Sequence, residues 1–212
     1  MAPVPDHIRD PAEIYRQSFA IVEAEADLGS LPVAMHGIAL RLIHSCGMTD
    51  IVGDLAFSAM AGEAGRAALA AGKTVFCDVE MVKAGIITSR LPADNPIICT
   101  LNDPRAAEIG KRTHYTRSAA AVELWGDALA GSVVVIGNAP TALFRLLELI
   151  DLGAPKPGLI VGMPVGFVGA AESKAELAAN SRGCEFIVVH GRRGGSAMAS
   201  AVVNALCSRD GK

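Results

Sequence analysis

The chain has 212 residues, 51% of them hydrophobic and 19% charged, a balance that suits one domain with a sizeable core. Aromatic side chains make up only 4%, so Ala, Val, Ile and Leu must fill that core. The formal net charge of −3 argues against a nucleic-acid footprint, so an anionic ligand would have to be met by a few placed cations and backbone amides.

The opening "MAPVPDHIRD" carries no apolar signal core, and no stretch approaches the roughly 18 unbroken apolar residues of a membrane span. A soluble, cytoplasmic protein is expected, with no membrane or nucleic-acid partner. The cysteines (Cys46, Cys77, Cys99, Cys184, Cys207) are odd in number and widely spaced, with no C-x-x-C. Reduced, buried thiols suit that pattern better than disulfides or zinc.

Asp10-Pro11-Ala12-Glu13 reads as a capping box with proline in the first turn of a helix. Ile14, Ser18 and Val22 then recur at intervals of four, which puts the Ser18 hydroxyl on one face with two apolar side chains. The ordinary use of such a serine is a bond to the carbonyl one turn back. Ser30 with Pro32 opens a second helix and Gly47 closes it. Within "LRLIHSCG", Arg41 and His44 lie three apart and so nearly share a face. A histidine in a last turn can simply serve the helix dipole. Beside a guanidinium, it can instead be a titratable imidazole kept near neutral use. Both accounts stay open on pattern alone.

Apolar runs of strand length follow: "LAFS" at 55–58, the weakest, then "TVFC" at 74–77, "PIICT" at 96–100, "SVVVIG" at 132–137, "GLIVG" at 158–162 and "FIVVH" at 186–190. Ala-rich stretches of helical length include 117–130, 139–152, 171–180 and 195–207. Continuous Val/Ile runs alternating with helices predict parallel strands covered on both faces. The expected fold is a three-layer α/β/α domain over 1–212, flavodoxin-like, with a mainly parallel sheet of about five strands and an N-terminal helical pair.

Glycine turns mark the ends of three of these strands, at "VVVIGNAPTALF", "GLIVGMPVGFVGAAESK" and "FIVVHGRRGGSAMASA". Asn138 and Ser196 are candidate caps of the helices that follow. In a parallel sheet such turns share the carboxyl edge, where open α/β sheets bind ligands, and they aim helix amides outward. Tight turn geometry alone also explains glycine there. In "HYTRSAAAVELW", Thr116 or its neighbour caps a helix and Arg117 stands in the first turn, where a cation is unfavourable unless an anion lies nearby. Arg117 thus joins Arg41, Arg192 and Arg193 as candidate partners for carboxylates. No G-x-x-x-x-G-K-[ST], G-x-G-x-x-G or G-x-S-x-G is present, and His7, His36, His44, His114 and His190 show no chelating spacing.

Taken together, "IYRQSFAIVEAEAD", "RLIHSCGM", "TRSAAAVELW", "GSVVVIGNAPTALF", "GMPVGFVGAAESK" and "GRRGGSAMASA" resemble the precorrin-8X methylmutase family of corrin-ring biosynthesis. The resemblance covers nearly the whole chain. It implies a cofactor-independent isomerase, a homodimer, that moves one methyl group from carbon 11 to carbon 12 of precorrin-8X to give hydrogenobyrinic acid. It also implies that His44 is the general acid/base, and that Ser18, Arg41 and Arg117 contact substrate; no metal is implied. A broad apolar ring edged with carboxylates suits scattered amides and arginines better than one phosphate cradle would. One departure concerns the hydroxyl that the family can place soon after "EMV-x-x-G". Here Gly85 is followed by Ile86 and Ile87 before Thr88, so no hydroxyl role is assigned to that segment. The cobalt-bearing precorrin-8 is the alternative substrate. A nucleotide- or sugar-phosphate-using enzyme and a non-catalytic binding module are the rival classes.

Overall fold

The structure, a computed structural model, describes residues 7–208. Most of the opening stretch assessed for a signal core therefore lies outside the described residues. Six strands form one sheet: β1 (Leu55–Phe57), β2 (Val75–Cys77), β3 (Ile97–Cys99), β4 (Val133–Ile136), β5 (Leu159–Gly162) and β6 (Glu185–Val189). Their order is β1-β6-β5-β4-β2-β3. β2 to β6 are parallel, and β1 lies antiparallel to β6 at one edge. Without β1 the parallel strands run in the flavodoxin order, so the general plan expected from sequence is the one observed. The weak sixth run, "LAFS", is the added edge strand. β4 and β5 are buried at every position because helices cover both faces, which is why they read as unbroken Val/Ile runs.

One helical layer holds α1 (Pro11–Glu25), α2 (Val33–Cys46), α3 (Ala61–Ala70), α4 (Glu80–Gly85) and α9 (Ser196–Leu206), packed in one apolar cluster with the sheet. α6 (Arg117–Val122), α7 (Pro140–Asp151) and α8 (Ala170–Ala179) cover the other face. α5 (Pro104–Thr113) packs against α6. Among the described residues no helix is long and apolar enough to cross a membrane. The 117–130 stretch is not one helix: α6 ends at Val122, and a 3-10 segment follows that breaks at Gly126, whose φ is 49°.

Only half of the N-terminal capping box forms. Asp10 accepts from the Ala12 amide at 3.1 Å with Pro11 in the first turn, but Glu13 turns forward to hold Arg16 and Gln17. The buried face of α1 is Phe19 and Val22, whereas Ile14 is 46% exposed, so the four-residue stripe is not the core face. Ser30 does not cap α2. Its hydroxyl closes a short 3-10 turn onto Asp27 O at 2.8 Å, and Pro32 precedes the helix. Gly47 does end α2, in the left-handed region (φ 70°) with its amide on Ile43 O.

Two buried charges set the turns at the carboxyl edge. Asp78, just after β2, accepts from the amides of Gly137, Asn138 and Ala139 at 2.8–2.9 Å. These are the amides of the "IGNAP" turn that sequence marks for an outside anion; the chain fills that place itself. Ala139, not Asn138, is the cap residue of α7, and Gly195, not Ser196, that of α9. Burial pushes the Asp78 carboxyl above its ordinary value, and the three amides oppose that. Asp78→Ala would strand two buried donors and a part-buried one, so we expect a loss of about 3–5 kcal/mol in urea unfolding; a loss below about 1 kcal/mol would contradict that account.

Lys174 on α8 is fully buried, and its Nζ donates to Arg193 O at 2.6 Å. Burial lowers its amine to about 8, opposed by Asp54 nearby. Below that value both folded and unfolded chains hold the proton and the cost of burial is present in full. Between it and the unfolded value the unfolded chain binds more protons, so stability rises with pH. Relative to Lys174→Met, the parent protein should gain roughly 2 kcal/mol between about pH 7.5 and 9.5. Paired urea titrations at the two pH values measure this, and parallel curves would refute it.

Candidate active site

α9 is buried from Met198 to Leu206, including two polar residues one turn apart, Ser200 and Asn204. Both line a cleft of about 480 Å³, within the roughly 300–1,000 Å³ of small-molecule sites. Ala197, Ser200, Ala201 and Asn204 form its floor. Tyr15 from α1 and Arg41, His44 and Ser45 from α2 form one wall, and Met81, Gly85 and Ile87 the other. Asn204 fixes that second wall: its Nδ2 donates to Gly85 O at 2.9 Å, and its Oδ1 accepts from the Ile87 amide at 2.8 Å. Gly85 allows the close approach, because a Cβ there would lie 2.8 Å from Ser200 Cβ and collide with its hydroxyl. Ile87 occupies the wall where a hydroxyl was in question, and Thr88 opens a 3-10 turn outside the lining.

α2 carries a continuous buried run, Ile38–Ile43, and its last turn then brings His44 to the surface. The imidazole stacks on Phe19, with ring centroids 5.1 Å apart, and lies 5.2 Å from Tyr15. Its Nδ1 is 2.8 Å from Ser18 Oγ. Ser18 therefore spends its hydroxyl on His44, not on its own helix. The pairing orients the ring, and with Ser18 donating to Nδ1 the proton sits on Nε2, the nitrogen left for other chemistry.

Arg41 is only 6% exposed. One Nη donates to Tyr15 Oη at 3.3 Å, the guanidinium lies 5.9 Å from the Phe19 ring centroid, and Nε has no partner. Among the described residues no carboxylate pairs with it. A buried cation with an idle donor beside a cleft is costly unless a ligand supplies the acceptor.

Ser18, Arg41 and His44 are thus brought together. Arg117 is not among the residues lining this cleft. It is exposed at the start of α6, behind Thr116, which caps the helix through the Ala119 amide and also bonds Thr141. The glycine turns do not line the cleft either. Arg193 is paired with Asp50 and Asp54, and Arg192 stacks 5.4 Å over Phe167, itself 84% exposed. Tyr15, Ser200, Asn204, Met81 and Ile87 were missed from sequence. Two of them left a signal: Ser200 and Asn204 are polar residues four apart in the apolar run "SAMASAVVNAL".

Comparison with known proteins agrees with this fold. A family model described as precorrin-8X methylmutase matches residues 13–209. The chain is 60% identical to a precorrin-8X methylmutase of Pseudomonas aeruginosa over 96% of its length and 98% of that protein. It is 54% identical to one from a Sinorhizobium species, over 95% and 96% of the two chains. A cobalt-precorrin-8 methylmutase of Priestia megaterium is 36% identical over 92% and 87%. The crystal structure of a Thermus thermophilus precorrin-8X methylmutase superposes with a TM-score of 0.83 at 34% identity, covering 92% of this chain and 94% of that one. With fold, length and sequence all in agreement, the chain belongs to the precorrin-8X methylmutase family.

Proposed function

We propose that this protein, acting as one domain over 1–212, isomerises precorrin-8X to hydrogenobyrinic acid by moving a methyl group from carbon 11 to carbon 12. The observation that carries the reading is an imidazole oriented by Ser18 at a cleft beside a buried, incompletely bonded arginine. His44 protonates the macrocycle near the migrating methyl. That draws electron density from the conjugated system and eases a suprafacial 1,5 shift. One carbon–carbon bond breaks as the other forms, and the imidazole takes a proton back, so nothing is gained or lost. Arg41 grips a peripheral carboxylate while the apolar wall of Met81 and Ile87 meets the ring.

Higher identity to two precorrin-8X methylmutases than to the cobalt-precorrin-8 relative supports the metal-free substrate, with the cobalt-bearing one as the second reading. Arg117 stays a proposed substrate-side cation, on the far layer from His44 in one chain. A homodimer is proposed too, supported by exposed Phe167 and Val168, and cytoplasmic action goes with the reading. Asp78 counts against a nucleotide enzyme, because it occupies amides at the sheet's switch point that a phosphate would need. The test is to incubate purified protein with enzymatically made precorrin-8X, and in parallel with its cobalt form, and follow the visible spectrum. A methyl shift changes the conjugation; spectra that stay flat with both would overturn the proposal.

A further inference from the structure

His44 lies in the last turn of α2, beyond the buried run that packs the helix, so core packing alone does not fix it. The chain leaves α2 through Gly47 and Met48 into a 3-10 segment (Thr49–Asp54) that leads to β1. Across from it, residues 191–195 lead into α9, the floor of the cleft. One side chain joins the two: Arg193 places Nη1 2.7 Å from Asp50 Oδ2 and 3.9 Å from Met48 Sδ, and its other Nη on Asp54. The backbone behind that guanidinium is held as well. Arg193 O accepts from the fully buried ammonium of Lys174, the Gly166 amide bonds Arg192 O, and the Gly195 amide bonds Met163 O. A Cβ on Gly194 would sit 2.7 Å from Pro164 O, so the loop is pressed onto the 163–166 segment and cannot retreat.

We infer that Arg193, braced by Lys174, is a positioning residue that sets the catalytic end of α2 against the floor of the cleft. The inference rests on the proposed role of His44. The ion pairs of Arg193 are partly exposed, and pairs of that kind add little to stability. Their effect should appear in geometry, where a displacement of about 1 Å can cost on the order of 100-fold in rate.

The test is Arg193→Gln, assayed with precorrin-8X and, free of ligand, by NMR of histidine-labelled protein. We expect kcat to fall roughly 10- to 100-fold with KM within about threefold, a melting temperature close to the parent's, and shifted His44 imidazole resonances. Arg193→Lys, which can hold one carboxylate at a time, should recover part of the loss. A kcat within about twofold of the parent, a change confined to KM, or unmoved His44 resonances would overturn the inference. Should Arg193→Gln fail to fold, Asp50→Asn gives the same comparison at the more exposed end. If the parent protein leaves precorrin-8X unchanged, the functional reading fails on its own, and the ligand-free resonances still decide the positioning.

Discussion

Replacing His44 with Gln should lower kcat on precorrin-8X by roughly 10²- to 10⁴-fold, the range that a general acid–base group supplies. Binding of hydrogenobyrinic acid should stay within about fivefold, because the lost group acts on the reacting carbon skeleton and does not anchor the carboxylate rim. Stability should barely change: the imidazole is exposed, and its contacts are a ring stack and one hydroxyl. Stopped-flow spectra with precorrin-8X and absorbance titration with product separate the two quantities. A variant that turns over normally would remove His44 from the chemistry; one that loses product affinity as steeply as rate would make His44 an anchor and not an acid.

Arg41→Met should give the opposite pattern for binding and stability. The guanidinium is almost wholly removed from water without a carboxylate, so exchange for an apolar side chain of similar length should be neutral or stabilising in urea unfolding. The bound state loses a charged, desolvated pair, which at such sites costs about 2–5 kcal/mol, or roughly 30- to 5,000-fold in product affinity. Isothermal titration with hydrogenobyrinic acid and an unfolding curve measure both sides. An affinity within about threefold of the parent's would remove Arg41 from the site.

How much of this was legible beforehand depends on whether a feature is local. β4 and β5 could be read because burial on both faces writes itself as consecutive Val and Ile. β1 is three half-buried residues paired only with β6, so its signal is weak, and α4 has six residues shaped by neighbours. Gly47 was readable as a helix end because its left-handed backbone is a property of one residue. The partnership of Ser18 and His44 was not, since it spans 26 positions and exists only once α1 lies on α2. The "IGNAP" turn was open to a ligand reading because sequence shows donors and hides the acceptor; Asp78 meets its amides from 59 to 61 positions away. Asn204 was passed over as one polar residue in an apolar helix, although it holds an entire wall of the cleft.

Asp78 also has a bearing on how a guest arrives. In sheets of this order the berth is a narrow slot between strand tips, suited to a slim, phosphate-tailed molecule entering end-on. Here that slot is plugged from within, and the vacancy lies instead along the flank of α9. A ligand entering there meets the side of a helix, with no strands to part.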